Sequence, residues 1–181
     1  KIAEEIIQME EVIQRNYSKL PNETITSIIL TLPQDFQPII VKIEETADAL
    51  YHKEKIIYEE QYAKKAFDIW LPHATKLGMS ECEWKIQDYS FRVLNPQAFE
   101  KIKKLINKTR TEREQLIEEV ITEIQELLKN KPNTTITGRP KSFTSIFNKL
   151  KKTSFEKIHD IYGIRIICNK EKECYEILGL V

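Results

Sequence analysis

Residues 138–165 read GRPKSFTSIFNKLKKTSFEKIHDIYGIR, and the reading of this stretch decides the rest of the chain. Side chains four apart on a helix lie nearly above one another. Lys141, Ser145 and Lys149 therefore predict one polar stripe. Phe143, Ile146, Phe147 and Leu150 fall on the other side, the pattern of a core-facing helix. Gly138 and Pro140 open that helix, whose start supplies free N–H groups and the positive end of its dipole. A basic stripe opposite a buried face suits phosphate.

Upstream, Thr134, Thr135, Ile136 and Thr137 are strand formers. Downstream, IYGIRIIC (161–168) predicts a second strand, and KEKECYEILGLV (170–181) a helix. The tail thus reads strand–helix–strand–helix, the beginning of an α/β domain. Two strands are too few to stand alone, so the chain is expected to continue in a longer parent. Lys131-Pro132-Asn133 separates the tail from a first two thirds that is helical throughout. Apolar spacing predicts helices over residues 2–17, 23–32, 34–50 (with Pro38 in the first turn), 54–71 and 80–94. The 54–71 helix has a stripe of Ile56, Tyr62, Ala66 and Trp70, with Leu77-Gly78 as its end. The helix over 80–94 is expected to be capped by Ser80 with Glu83. A single long helix is expected from Asn95-Pro96 to about Lys129, with Ile117, Val120, Ile121, Ile124, Leu127 and Leu128 as its apolar seam.

At 181 residues the chain has room for one or two domains with a real core. Its formal net charge is zero, so no global field draws it to nucleic acid or membrane. Charge is local: Arg139, Lys141, Lys149, Lys151 and Lys152 share a stretch without acids, while Glu112, Glu114, Glu118, Glu119, Glu123 and Glu126 predict the wet face of a helix. No apolar run approaches the roughly 20 residues of a membrane helix. Cys82, Cys168 and Cys174 form no CxxC pair and no metal-ligand spacing. An odd number of cysteines without a signal peptide points to a reducing, cytoplasmic setting. There is no internal repeat.

Phosphoryl transfer needs cations for a polyphosphate and a carboxylate for Mg²⁺. Lys141, Ser145 and Lys149 offer two ammoniums and a hydroxyl. Asp160 stands just before the second strand as a metal ligand, and Arg139 and Arg165 can clamp phosphate or stack on a base. Asp160 and Arg165 are five apart, which on a regular strand sends them to opposite faces. Either Asp160 belongs to the preceding loop, or a bulge near Gly163 shifts the register. No Walker-type glycine loop is present. On spacing alone, a solvated basic helix beside an edge strand remains an alternative. His73 reads as a packing or capping residue, since Lys76 and Leu77 stand where a second metal ligand would. His52 and His159 are isolated. Trp70, Trp84, Tyr89 and Phe91 read as core.

The motif GRPKSFTSIFNKLKK…DIYGIRI…CYEILG resembles the synthetase domain of the RelA/SpoT family, makers of the alarmone (p)ppGpp. LPHATKLGMSECEWKIQDYSFRVLNPQAFEKI (71–102) resembles the family's segment between hydrolase and synthetase domains. ITSIILTLPQDFQPIIVKIEETADAL (25–50) resembles the end of the hydrolase domain. The resemblance implies domains at 1–53 (degenerate hydrolase remnant), 54–130 (helical connector) and 131–181 (start of a nucleotidyltransferase-like synthetase domain). It implies transfer of pyrophosphate from ATP to the 3′-hydroxyl of GTP or GDP with Mg²⁺. Arg139 and Arg165 would sandwich the adenine, Lys141, Ser145 and Lys149 would bind the phosphates, and Asp160 would be the catalytic, Mg²⁺-holding carboxylate.

Two departures matter. The family's second metal carboxylate, in a motif like EVQIR, and its guanine-stacking tyrosine come later than Val181, so this chain alone is expected not to synthesise alarmone. The hydrolase segment VKLADRLHNM has become VKIEETADAL, with Glu45 for the metal-binding aspartate, Asp48 for the histidine and Ala49 for the asparagine, so hydrolase activity is expected to be lost. Any ribosome contact would fall to regions outside this chain, and neither membrane binding nor direct nucleic-acid readout is expected. A non-catalytic nucleotide-sensing module of the same fold is the alternative. A nucleic-acid binder is disfavoured because Phe143 and Phe147 point away from the basic face.

Overall fold

Helix dominates the first hundred residues because apolar side chains recur every three to four positions with no strand-forming run between them. The computed structural model describes residues 1–52, 59–107, 109–131 and 133–181. Packing divides the chain into two compact units, Lys1–Phe99 and Glu100–Val181.

In the first unit, α1 (Ile2–Asn16), α2 (Asn22–Thr31) and α3 (Gln37–His52) are followed by α4 (Glu59–Lys65), a π-helical turn (Ala66–Trp70), α5 (Leu71–Lys76) and α6 (Ser80–Leu94). Helix α6 takes α3, α4 and α5 against it, and α1 packs on α3. Met9, Ile13, Ile25, Ile29, Ile39, Ile43, Ile69 and Ile86 are fully buried at the shared centre. Pro38 stands in the first turn of α3, where its missing N–H costs nothing. The expected stripe residue Ile56 lies outside the described residues. Helix α5 ends in a Schellman motif: Gly78 takes φ +69°, its N–H donates to Thr75 O (3.2 Å), and Met79 N donates to Ala74 O (2.9 Å). The expected Ser80 cap is not made. Ser80 is the first helical residue, Met79 holds the cap position without a side-chain bond, and Ser80 Oγ turns back to Gly78 O at 3.4 Å. The Schellman turn already delivers the chain into α6 in a helical direction, so the serine falls one position late.

Helix α7 (Pro96–Ile106) crosses the boundary between units. The expected single helix to Lys129 is two helices. Asn107 adopts φ 52° and ends α7, and Thr109 opens α8 (Arg110–Leu127) with a capping box. Glu112 N donates to Thr109 Oγ1 (3.2 Å), and Thr109 N donates to Glu112 Oε2 (2.6 Å). Those two bonds satisfy N–H groups that a continuous helix would have bonded internally. Of the expected seam, Ile117, Ile121, Ile124 and Leu128 are buried, whereas Val120 and Leu127 are exposed.

In the second unit, β1 (Thr135–Pro140), α9 (Phe143–Leu150), a 3₁₀ turn (Phe155–Lys157), β2 (Tyr162–Ile167) and α10 (Glu171–Leu178) follow in the expected strand–helix–strand–helix order. Pro132, part of the expected break before β1, lies outside the described residues. Strands β1 and β2 pair antiparallel in an unbroken register from Thr135–Ile167 to Pro140–Tyr162. On one face of this ribbon Ile136, Ile164 and Ile166 pack on Ile124, Leu128 and Ile177. Gly138 lies on that face: a Cβ there would come within 2.4 Å of Ile117 Cγ2 and 2.8 Å of Ile164 Cδ1. Only glycine lets β1 approach α8 this closely.

Candidate nucleotide site

The other face of the ribbon carries the basic residues. In an antiparallel pair, directly opposed residues project to the same side. Register puts Thr137 opposite Arg165 and Arg139 opposite Gly163. Arg139 and Arg165 are therefore diagonal neighbours on one exposed face, and Gly163 leaves open the place across from Arg139. The unbroken ladder also decides between the two placements of Asp160. There is no bulge at Gly163, and Asp160 lies in the loop before β2.

The helix expected to begin at Pro140 begins later. Pro140 is the last residue of β1, Lys141 N donates to Ile161 O (2.8 Å) in continuation of the ladder, and Ser142 is the N-cap of α9. Lys141 thus stands on an extended segment rather than on the stripe of α9. The reason is local competition: Ser142 Oγ accepts from Ser145 N (3.2 Å), which makes Ser142 a better cap than Gly138 or Arg139. Ser142 Oγ also donates to Ser145 Oγ (2.8 Å), which leaves the Ser145 hydroxyl proton for another acceptor.

Despite the change of element, the charged groups meet. Lys141 Nζ lies 2.7 Å and Lys149 Nζ 2.5 Å from the same oxygen, Asp160 Oδ2. The Asp160 side chain is half exposed and that of Lys141 a quarter exposed. Hydrogen bonds from Lys141 first and Lys149 second hold the Asp160 carboxyl far below the usual carboxylate range. His159, beside Asp160, is exposed.

Arg113 belongs to this assembly and is absent from the sequence-based expectation. It is fully buried. Its guanidinium lies 4.6 Å from the centre of the Phe143 ring, and Nη1 donates to Lys141 O at 3.1 Å. Arg113 thereby holds the junction between β1 and α9. A signal existed: Arg113, Ile117, Ile121, Ile124 and Leu128 share the 4-4-3-4 spacing of one helical stripe.

Elsewhere, Glu45 pairs with the mostly buried Lys42 (3.2 Å), which also pairs with Glu10 (3.0 Å), and Asp48 pairs with His52 (3.1 Å). Lys42 carries a raised pKa: burial lowers it, and Glu10 and Glu45 more than offset that. His73 is fully buried in α5, its Nδ1 donating to Ile69 O at 2.7 Å. Trp70 and Phe91 are buried, and Trp84 and Tyr89 form an edge-on cluster with Tyr51. Among the described residues no group of three His, Cys, Asp or Glu side chains converges to hold a metal. None of the described helices is long and apolar enough to cross a membrane.

Residues 138–181 match the family defined as the region found in RelA/SpoT proteins. Over these residues the chain is similar to RelA/SpoT proteins. It is 30% identical to a GTP pyrophosphokinase of Haemophilus influenzae, over all of this chain and 26% of the relative. It is 30% identical to a guanosine-3′,5′-bis(diphosphate) 3′-pyrophosphohydrolase of Spiroplasma citri, over 99% of this chain and 25% of the relative. It is 32% identical to a bifunctional (p)ppGpp synthase/hydrolase of Mycobacterium tuberculosis, over 91% of this chain and 23% of the relative. The chain spans about a quarter of the length of the curated relatives it matches. The RelA/SpoT region begins at Gly138 and contains the convergent Lys141, Lys149 and Asp160.

Proposed function

We propose that this chain carries the ATP side of a (p)ppGpp synthetase, a cytoplasmic GTP pyrophosphokinase that moves pyrophosphate from ATP to the ribose 3′-oxygen of GTP or GDP. The observation that carries the reading is the meeting of Lys141 and Lys149 on Asp160, next to the open face that bears Arg139 and Arg165. Relatives named for both synthesis and hydrolysis match across nearly the whole chain, so the names alone do not choose between the two reactions.

On this reading the ion triad is the resting state of a phosphate site. Asp160 stands where phosphate oxygens would stand, neutralising the two ammoniums. With ATP bound, Lys141 and Lys149 would hold phosphate oxygens, the Ser145 hydroxyl would donate to another, and Asp160, freed of the two ammoniums, would be the residue to hold Mg²⁺. Mg²⁺ is usually held by one or two carboxylates together with phosphate oxygens and water, so a single half-exposed aspartate would suit as its protein ligand. Bound there, the metal would neutralise charge building on the transferred group. Arg139 and Arg165, diagonal on one face across the gap at Gly163, are suited to take the adenine between them. Residues 131–181 would then begin a nucleotidyltransferase-like synthetase domain, 54–130 would connect, and 1–53 would be the hydrolase remnant. The reading that hydrolysis is lost rests on Glu45, Asp48 and Ala49 standing where the resembling hydrolase segment has aspartate, histidine and asparagine.

Calorimetry of the 181-residue chain with Mg²⁺–ATP tests the reading. We expect binding that weakens at least tenfold in Arg139→Ala and Lys141→Ala, since each removes a charged contact worth about 1.5–3 kcal/mol. Equal affinity in the variants would sink the assignment.

A further inference from the structure

At the far end of β2 two thiols meet. Cys168 directly follows the last residue of β2, and Cys174 lies in the second turn of α10. Their Sγ atoms are 3.1 Å apart, and both are free. Each stands on an anchored element. Cys168 packs against the cluster of Ile124, Leu128 and Ile177. Helix α10 is started by Lys170 N donating to Glu173 Oε2 (3.3 Å), tied down by the Lys131–Glu176 ion pair and seated through buried Ile177. The meeting is thus built into the packing. Access is graded: Cys174 is exposed and Cys168 is half-buried. Cys82 differs in kind, since it is buried in the first unit and its thiol is pushed up to about 12 by burial, with Glu44 adding to it.

We propose that Cys168 and Cys174 form a reversible thiol–disulfide site, closed by a small-molecule disulfide such as oxidised glutathione. The exposed Cys174 thiolate attacks one sulfur of the reagent and expels one glutathione thiolate, which takes up a proton. Cys168 gives its proton to solvent, attacks the Cys174 sulfur of the mixed disulfide and expels the second glutathione. Two protein thiols lose two electrons and two protons, and one reagent disulfide becomes two thiols. The sulfurs have to close from 3.1 Å to about 2.05 Å. The product ties the end of β2, two residues past Ile166, to α10. This site is independent of the nucleotide reading.

The test is incubation of the 181-residue chain with oxidised glutathione, followed by alkylation under denaturing conditions, intact mass and a tryptic map. We expect loss of two hydrogens, a single alkylated cysteine (Cys82) and a crosslink between the peptides holding Cys168 and Cys174, cut apart at Lys170 and Lys172. The internal disulfide should exceed the mixed disulfide at least tenfold, and dithiothreitol should restore three thiols. Cys168→Ser should stop at a glutathione adduct on Cys174, while Cys82→Ser should still close the bond. Stable adducts on both cysteines, a bond between two chains, or three unchanged thiols would each overturn the proposal.

Discussion

Asp160 sits between two ammonium groups, and its protonation follows from that geometry. Bonds from Lys141 and Lys149 favour the carboxylate, so its pKa falls below the ordinary 3.8. A depressed pKa means that the ion triad contributes fully above pH 3.8 and is lost only as the pH falls through the lower folded value. A carboxyl carbon NMR titration should find Asp160 still ionised at pH 3.8, and Lys141→Ala with Lys149→Ala should bring its midpoint back up; an ordinary midpoint in the unaltered chain refutes this. His73 shows the opposite case of a base kept neutral. Burial, the main cause, lowers its pKa from 6.5, so its contribution is present above pH 6.5 and is lost as the unfolded chain gains protons below it. Urea midpoints should fall between pH 7.5 and 5, and His73→Phe should flatten that slope. Arg113→Ala would leave Lys141 O without this donor and empty the space under Phe143. A loss of about 2–4 kcal/mol is expected from the charged hydrogen bond and the desolvated ring contact together. A change below about 0.5 kcal/mol in a denaturant melt would remove Arg113 from the site's framework.

Element boundaries were the least legible feature of the sequence. The single helix expected from Asn95-Pro96 to about Lys129 ran through Asn107 and Thr109, although residues 107–115 carry no apolar side chain that would continue a helical stripe. What ends α7 is a left-handed Asn107, and what starts α8 is the Thr109–Glu112 box, both visible as short motifs once the break is suspected. Thr109→Ala should cost about 1 kcal/mol, read as a lower melting temperature. Likewise the serine that mattered for α9 was Ser142, one residue past Lys141, because a side-chain cap outweighs the glycine and proline before it. The close approach of β1 to α8 could not be read at all. Gly138 reads as a helix opener in sequence, yet in the fold it is a packing requirement. Gly138→Val should destabilise by about 1–3 kcal/mol through overpacking and disturb the adjacent Arg139; a neutral effect in thermal melts would contradict the contact.

Over the whole molecule, each compact unit has its own buried cluster. Ile146 is fully buried on the inner side of α9, so Ile146→Ala should cost about 2–5 kcal/mol and speed hydrogen exchange through β1, α9 and β2. Local sequence determined the helical first two thirds through apolar periodicity, the strand–helix–strand–helix order after Asn130 through β-forming composition around an amphipathic stretch, and the candidate charged residues through their local clustering, because all three are properties of neighbours along the chain. Only the tertiary structure decided the antiparallel register that puts Arg139 and Arg165 on one face. It also placed Asp160 in a loop between two lysines, buried Arg113 beneath the site and brought Cys168 to Cys174. The two cysteines, close in sequence, meet through the way α10 is seated after β2. The register, the ion triad and the burial of Arg113 depend on segments distant in sequence approaching to within a few ångströms, a distance set by packing that no local pattern records.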